Sequence, residues 1–285
     1  MAIDYEHALS LKTSGRRFRY STRDTILYAL GLGFGDNPED PRELRFVYEK
    51  HLHAMPTMAT VVAWGADALA ETGVDFSKLV QGEQRLTLYA PLPVAGEVTA
   101  DWEVKEIVDK GAGRGALIIH EFRIRDAANG ALLALLGRTS FARGDGGFGG
   151  PSEGGPAPHP IPDRAPDREL AIVVARNQAL IYRLSGDDNP LHVDPEVARL
   201  MGFPKPLLHG LATYGVACRA VLNAWTGFDP APLRAFDVRF SAPVFPGDEI
   251  HFRMWKDGDV VSFEASVPAR NATVLRNGRA VLISN

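Results

Sequence analysis

Apolar and polar positions along this chain fall into an order that occurs twice. Asp24 stands before Thr-Ile-Leu-Tyr-Ala-Leu-Gly, which reads as an N-cap and a short helix. Residues 55–70 form a second, mostly apolar run, and strand-like runs follow near 84–90, 97–109, 115–126 and 131–142. Further on, 176–184, 195–201 and 210–225 read as helices, before strand-like runs near 233–242, 248–256, 259–267 and 272–284. The segment 210–225 has Thr213, Arg219 and Asn223 as its only clearly polar residues. A helix apolar nearly all round is buried on most faces. One long buried helix followed by four antiparallel strands predicts a sheet wrapped around that helix, and two copies predict a doubled α+β unit.

The two copies are separated by 144–167, where seven of 24 residues are Gly and six are Pro, a composition that holds neither a helix nor a central strand. The chain is thus divided into an N-terminal repeat (1–143), a linker (144–167) and a C-terminal repeat (168–285). Phe148, alone among linker glycines, is expected to be pinned in a pocket. A local repeat supports duplication: Pro91–Val98 matches Pro243–Ile250 with small gaps, and Gly96 and Gly247 are 151 residues apart in a chain of 285. The competing explanation is that Pro-x-x-Gly turns are common wherever two strands meet.

Composition narrows the function. Lys plus Arg is 31 against 35 for Asp plus Glu, a net charge of −4, and no long basic run exists. Broad phosphate-backbone binding needs clustered positive charge, so a nucleic-acid partner is not expected. The single cysteine, Cys218, excludes an intramolecular disulfide and a Cys-rich zinc site. No window approaches the ~18 uninterrupted apolar residues of a membrane helix, and no signal-peptide pattern or C-terminal peroxisomal address is present. The expectation is a cytoplasmic protein without a membrane partner.

Chemistry concentrates in 182–194, Tyr-Arg-Leu-Ser-Gly-Asp-Asp-Asn-Pro-Leu-His-Val-Asp. Gly186 stops one helix and Asp194-Pro195 starts the next, which places Asp187, Asn189 and His192 on a short connection. A carboxylate, an amide and an imidazole together can hold and polarise one water, and the imidazole titrates near neutrality. The plainer reading makes Asp187 and Asn189 turn residues and His192 a helix-flanking surface residue. Asp188 fits a solvated role and Asp194 a cap. Downstream, Gly210 opens the buried helix, where a free backbone N–H can stabilise a negative oxygen; a simple tight turn would use the same glycine.

The run at 182–195, with Pro-Leu-Leu-His-Gly-Leu-x-Thr-Tyr-Gly at 206–215, resembles the type 2 enoyl-CoA hydratases, the (R)-specific, MaoC-like group. The resemblance extends to Gly82-Glu-Gln-x-Leu-x-Leu-Tyr-x-Pro-Leu-Pro, Asp109-Lys-Gly-x-Gly113, Gly146–Gly150 and Arg239-Phe-x-x-Pro-Val-Phe-Pro-Gly247, most of the chain from about residue 24. It implies a double hot-dog fold, with the active site in the C-terminal repeat and acyl-chain room in the N-terminal one, which has no Asp-x-Asn-Pro-x-His run. It implies Asp187 and His192 as the pair that binds the attacking water, Asn189 as a supporting amide and Gly210 as the oxyanion donor. Gly82, Lys110 and Phe240 are implied as substrate contacts and Glu49 as structural support. The implied reaction is reversible hydration of a trans-2-enoyl-CoA to a (3R)-3-hydroxyacyl-CoA, as in fatty-acid β-oxidation. The implied partner is an acyl-CoA thioester, the implied assembly a homodimer. No cofactor and no metal are expected, and the pair His51 and His53 lacks a third ligand.

Two departures bear on specificity. Gln81 stands where the family often has His, and His51–Ala54 is unlike the family pattern. In a hot-dog repeat 55–70 would be the inner helix, with Met58 and Trp64 facing either an acyl chain or a plain core. A hot-dog thioesterase, a carrier-protein dehydratase and a non-catalytic acyl-CoA-binding protein remain as alternatives.

Overall fold

The computed structural model describes residues 3–283. Its strands are β1 (Lys12–Tyr20), β2 (Leu79–Leu88), β3 (Gly96–Asp109), β4 (Ala116–Asp126), β5 (Leu132–Ala142), β6 (Arg168–Val173), β7 (Leu233–Phe240), β8 (Glu249–Asp257), β9 (Val260–Val267) and β10 (Ala272–Leu282). Residue 284, where the last expected strand ended, lies outside the described residues. All ten form one sheet in the order β1-β3-β4-β5-β2-β7-β10-β9-β8-β6, and every pairing is antiparallel.

From either edge inward, each half runs first, third, fourth, fifth, second strand. A pseudo-two-fold axis therefore passes between β2 and β7, where Leu86 pairs with Phe236 and Arg85 with Asp237. This is the double hot-dog fold, and the sheet itself displays the duplication. The helices are α1 (Tyr5–Ser10), α2 (Thr22–Gly31), α3 (Pro41–Val47), α4 (Gln178–Tyr182), α5 (Pro195–Leu200) and α6 (Gly210–Thr226). Helices α2 and α4 occupy matching positions and meet each other, with the Tyr28 and Tyr182 rings 5.7 Å apart.

The long helix α6 fills the concave side of the C-terminal half and is buried over most of its length. Tyr214 anchors it by donating to the Phe236 carbonyl at 2.7 Å. Gly215 lets it approach α2 so closely that any side chain there would run into Leu32.

Among the described residues the N-terminal half has no counterpart to α6. Residues 55–70, expected as the inner helix, make a 3₁₀ turn over Pro56–Thr60, then irregular turns, and enter a second 3₁₀ turn over Leu69–Thr72. The β-branched run Thr60-Val61-Val62 disfavours helix, and Gly65 turns the chain at φ 78°. The run is nonetheless core, with Met55 and Met58 buried. The sheet there is filled by less protein, and a cavity of about 250 Å³ remains beneath β4 and β5.

Smaller differences are local. The N-cap of α2 is Ser21 rather than Asp24; Asp24 sits three residues on, and its carboxylate takes the Ser21 N–H at 2.7 Å in a capping box. Strands β1 and β6 lie outside the expected elements; both are mostly exposed edge strands, and β1 is also rich in charge. The linker is fastened along the sheet: Phe148 stacks on Tyr5 at 6.2 Å, and the Trp255 indole donates to the Arg164 carbonyl at 2.8 Å.

Candidate active site

The connection between α4 and α5 brings Asp187 and His192 together. The turn Pro190–His192 is capped by Asn189, whose Oδ1 accepts the Leu191 N–H at 3.0 Å. Asn189 in turn donates its backbone N–H to Asp187 Oδ1 at 3.3 Å. His192 Nδ1 lies 3.1 Å from the Leu207 carbonyl, which assigns the proton to Nδ1 and leaves the Nε2 lone pair free. That Nε2 faces Asp187 Oδ2 at 3.9 Å. Two acceptors at this separation do not bond each other, but one water can donate a proton to each, leaving an oxygen lone pair to attack. Burial lowers the His192 pKa below 6.5, and the Asp187 charge offsets this in part.

His209 holds both partners in place. Its ring stacks on His192 with centroids 3.7 Å apart, and its Nε2 lies 3.1 Å from the Asp187 carbonyl. It is buried, and its pKa is pushed down to about 3, first by desolvation and then by His192. The next residue, Gly210, opens α6, whose N-cap position supplies no side-chain bond to the first turn. Its N–H groups are thus presented beside the Asp187–His192 pair. A Cβ at Gly210 would stand 3.2 Å from Gln81 Oε1 and 3.7 Å from the Phe240 ring, so both side chains border the start of α6. Gly82 lies at the bulge in β2, where the register to β5 shifts between Gln81 and Glu83. Trp64 of the N-terminal half backs the loop: Gly186, at φ 127°, lies so close that a Cβ would be 2.8 Å from its Cγ.

Both halves of the chain match family models: the MFE-2 hydratase 2 N-terminal domain over residues 18–144 and the MaoC like domain over residues 158–276. The enoyl-CoA hydratase ChsH3 of Mycobacterium tuberculosis is 37% identical over 98% of this chain and 98% of its own. The chain belongs to the MaoC-like hydratase 2 family. The peroxisomal enoyl-CoA hydratase 2 of Arabidopsis thaliana is 36% identical over 94% of this chain and 92% of its own. A solved MaoC-like dehydratase from Phytophthora capsici superposes with a TM-score of 0.86 at 31% identity, covering 99% of each chain.

This hydratase 2 chain keeps a remnant of a second loop. Gly35-Asp36-Asn37-Pro38-Glu39-Asp40-Pro41 occupies the place between α2 and α3 that Gly186–Pro195 occupies between α4 and α5. Asp40 caps α3 as Asp194 caps α5. The remnant is three residues shorter and has no histidine. Its place is closed instead by a buried ion pair: Arg219 of α6 donates to Glu43 Oε1 at 2.8 Å, while Glu43 Oε2 accepts the Gly35 N–H at 2.8 Å.

Other expected residues fall as follows. Asp188 is exposed, as its solvated role requires. Asn189 is exposed and spends its Oδ1 on the cap, so it shapes the loop. Lys110 lies in the β3–β4 hairpin at the same end of the sheet as Gln81 and Gly82. That hairpin is gathered by the buried Asp109 carboxylate, which accepts N–H groups from Gly111, Gly147 and Gly149. Glu49, expected as structural support, is exposed beyond α3, whereas Glu43 inside α3 is buried and bonded. His209 and Glu43 carry no role in the sequence reading, and Trp64 is read there only as an acyl-chain or core residue, because the contacts each makes are distant along the chain. The only advance signal was the position of His209 against Gly210.

Among the described residues, Asp187, His192 and His209 form the one group with donor atoms close enough for a metal ion, within 4.8 Å of one another. His51 and His53 belong to no such group. No helix among the described residues is long and apolar enough to cross a membrane.

His209 makes stability pH-dependent. The folded protein keeps it neutral down to about pH 3, while the unfolded chain protonates near 6.5, so unfolding takes up a proton between those values. Its contribution is complete above about pH 6.5 and is lost toward pH 3, with a slope approaching 1.4 kcal/mol per unit. Thermal melts of wild type and His209→Gln between about pH 7 and pH 5 should show a shallower acid loss in the variant. Equal slopes would contradict this.

Proposed function

We propose that the chain catalyses the reversible addition of water to a trans-2-enoyl-CoA, giving a (3R)-3-hydroxyacyl-CoA. The observation that carries this reading is the 3.9 Å gap between two acceptors, Asp187 Oδ2 and His192 Nε2, next to the open start of α6. The water's oxygen bonds to C3 and a proton is delivered to C2. The Asp187–His192 pair relays the proton. The Gly210 N–H accommodates charge on the thioester oxygen as the enolate develops. The thioester is the electron sink, so the reaction requires no cofactor beyond the CoA carried by the substrate. The R configuration rests on family membership.

The acyl chain is assigned to the 250 Å³ cavity of the N-terminal half, where Trp64 touches the catalytic loop on one side and lines the cavity on the other. A larger cavity of about 530 Å³ opens at the opposite end of the β2–β7 pair, near His53 and Arg234, and touches none of the loop residues.

The test is loss of enoyl absorbance over a chain-length series. Trp64→Ala should shift the kcat/KM ratio between short and long chains by about tenfold, because pocket contacts act through differential transition-state binding. Met58→Ala, buried and outside the cavity lining, should lower stability by ~2–5 kcal/mol and leave that ratio alone. An unchanged profile in Trp64→Ala would remove the acyl role of this cavity.

A further inference from the structure

The acyl cavity is lined by one cation, Arg138, and one carboxylate, Asp67, and the hydration chemistry uses neither. Arg138 lies on β5 between Gly137 and Thr139, opposite Gln84 and His120, and both of those partners are fully buried on the inner face. Its guanidinium lies over the Phe122 ring at 5.1 Å and near the Trp64 ring at 5.9 Å, and forms part of the wall of the 250 Å³ cavity. Its Nε donates to Gln84 Oε1 at 3.4 Å, a long bond.

Among the described residues no carboxylate comes within ion-pair distance of it, in contrast to Arg219, whose burial is balanced by Glu43. The Asp67 and Asp187 charges favour its protonated form from beyond ion-pair distance, and desolvation lowers its pKa in spite of them. A desolvated cation without a partner is destabilising unless something pairs it. The rest of the wall is mostly apolar, made by Ala59, Ala63, Leu69, Phe76, Ile124 and Leu136; its polar members are Thr60 and Asp67, and Asp67 Oδ1 accepts the Leu69 N–H at 3.2 Å. An unbranched hydrocarbon tail would bury this guanidinium against methylenes and leave its outer N–H donors unmet. A carboxylate would meet them two at a time.

We propose that the cavity receives acyl chains whose far end carries a carboxylate, and that Arg138 is the group that recognises it. The inference rests on the hydration reading only for the direction in which the chain enters, past Trp64 from Asp187.

The test uses pairs of trans-2-enoyl-CoAs of equal length, one ending in methyl and one in carboxylate, over a series of lengths. Their saturated acyl-CoA counterparts serve as binding probes that need no turnover. At the best length, wild type should favour the carboxylate end by roughly 10–10²-fold in kcat/KM and in affinity, the worth of a charge-assisted bond. Arg138→Met should abolish or invert that ratio, and Arg138→Lys, which keeps the charge but not the fork, should retain part of it. The proposal is overturned if wild type prefers the methyl end at every length. It is equally overturned if Arg138→Met depresses both members of each pair alike, which would mark Arg138 as acting on Asp187 or on the fold. Absence of hydration for all substrates with a retained carboxylate preference in binding would count against the hydration reading alone. Should Arg138→Met fail to fold, the wild-type ratio and Arg138→Lys decide the matter.

Discussion

Asp187→Ala and His192→Ala will each lower kcat/KM for enoyl-CoA hydration by at least ~10²–10⁴-fold, the range for removal of a positioned acid–base group. Each variant leaves the other partner facing a water held from one side only, since the pair meets across 3.9 Å and neither residue alone spans it. The fold should survive. The Asp187 side chain accepts one hydrogen bond, from its own loop, and His192 is fixed by the Leu207 carbonyl and by the His209 ring, which remain without it. Asp188→Ala, one residue away and exposed, is the matched control and should stay close to wild type. Near-normal turnover in either alanine variant, with an unchanged melting temperature, would remove the pair from the chemistry and return both residues to the status of turn formers.

Glu43→Ala should have the largest effect on stability. It strips Arg219 of its carboxylate in the interior and frees the Gly35 N–H, and breaking one partner of a buried pair costs about 3–5 kcal/mol. Against a total of about 5–15 kcal/mol for a folded protein, that is a large share. Arg219 also lies over the Phe34 ring at 5.1 Å, so the unpaired guanidinium has no short route to water. The double replacement Glu43→Met with Arg219→Met should recover much of the loss, because exchanging a buried pair for apolar residues is often neutral. Denaturant unfolding of the two single variants and the double variant measures this. A Glu43→Ala protein within about 0.5 kcal/mol of wild type would show that the pair is incidental. The pair sits where a second catalytic loop would stand, so its strength also measures how firmly the remnant loop at 35–41 has been converted to scaffold.

What was legible in the sequence was what depends on neighbours in the chain. The loop 186–195 was readable because Gly, Asp, Asn and Pro fix turn and cap geometry within a few residues, and Asp194 caps α5 as expected. Helix α6 was readable because seventeen residues with almost no polar face leave few alternatives. The same rule misled at 55–70. Burial makes a segment apolar whether it is helix or turns, and the deciding features were Pro56, the β-branched run and the positive φ of Gly65. The edge strands β1 and β6 escaped notice because an edge exposed to solvent carries no alternation. Glu49 and Glu43 differ by six positions and are alike in composition; only packing against α6 selects Glu43. Arg138 and His209 belong to the same class, since their meaning comes from β4, β5 and the loop meeting in space.

The most direct test of the account is the product formed from a trans-2-enoyl-CoA. The enoyl absorbance should fall, and the resulting 3-hydroxyacyl-CoA should be oxidised by an (R)-specific dehydrogenase and left untouched by an (S)-specific one. An (S) product, or release of free CoA without hydration, would contradict it.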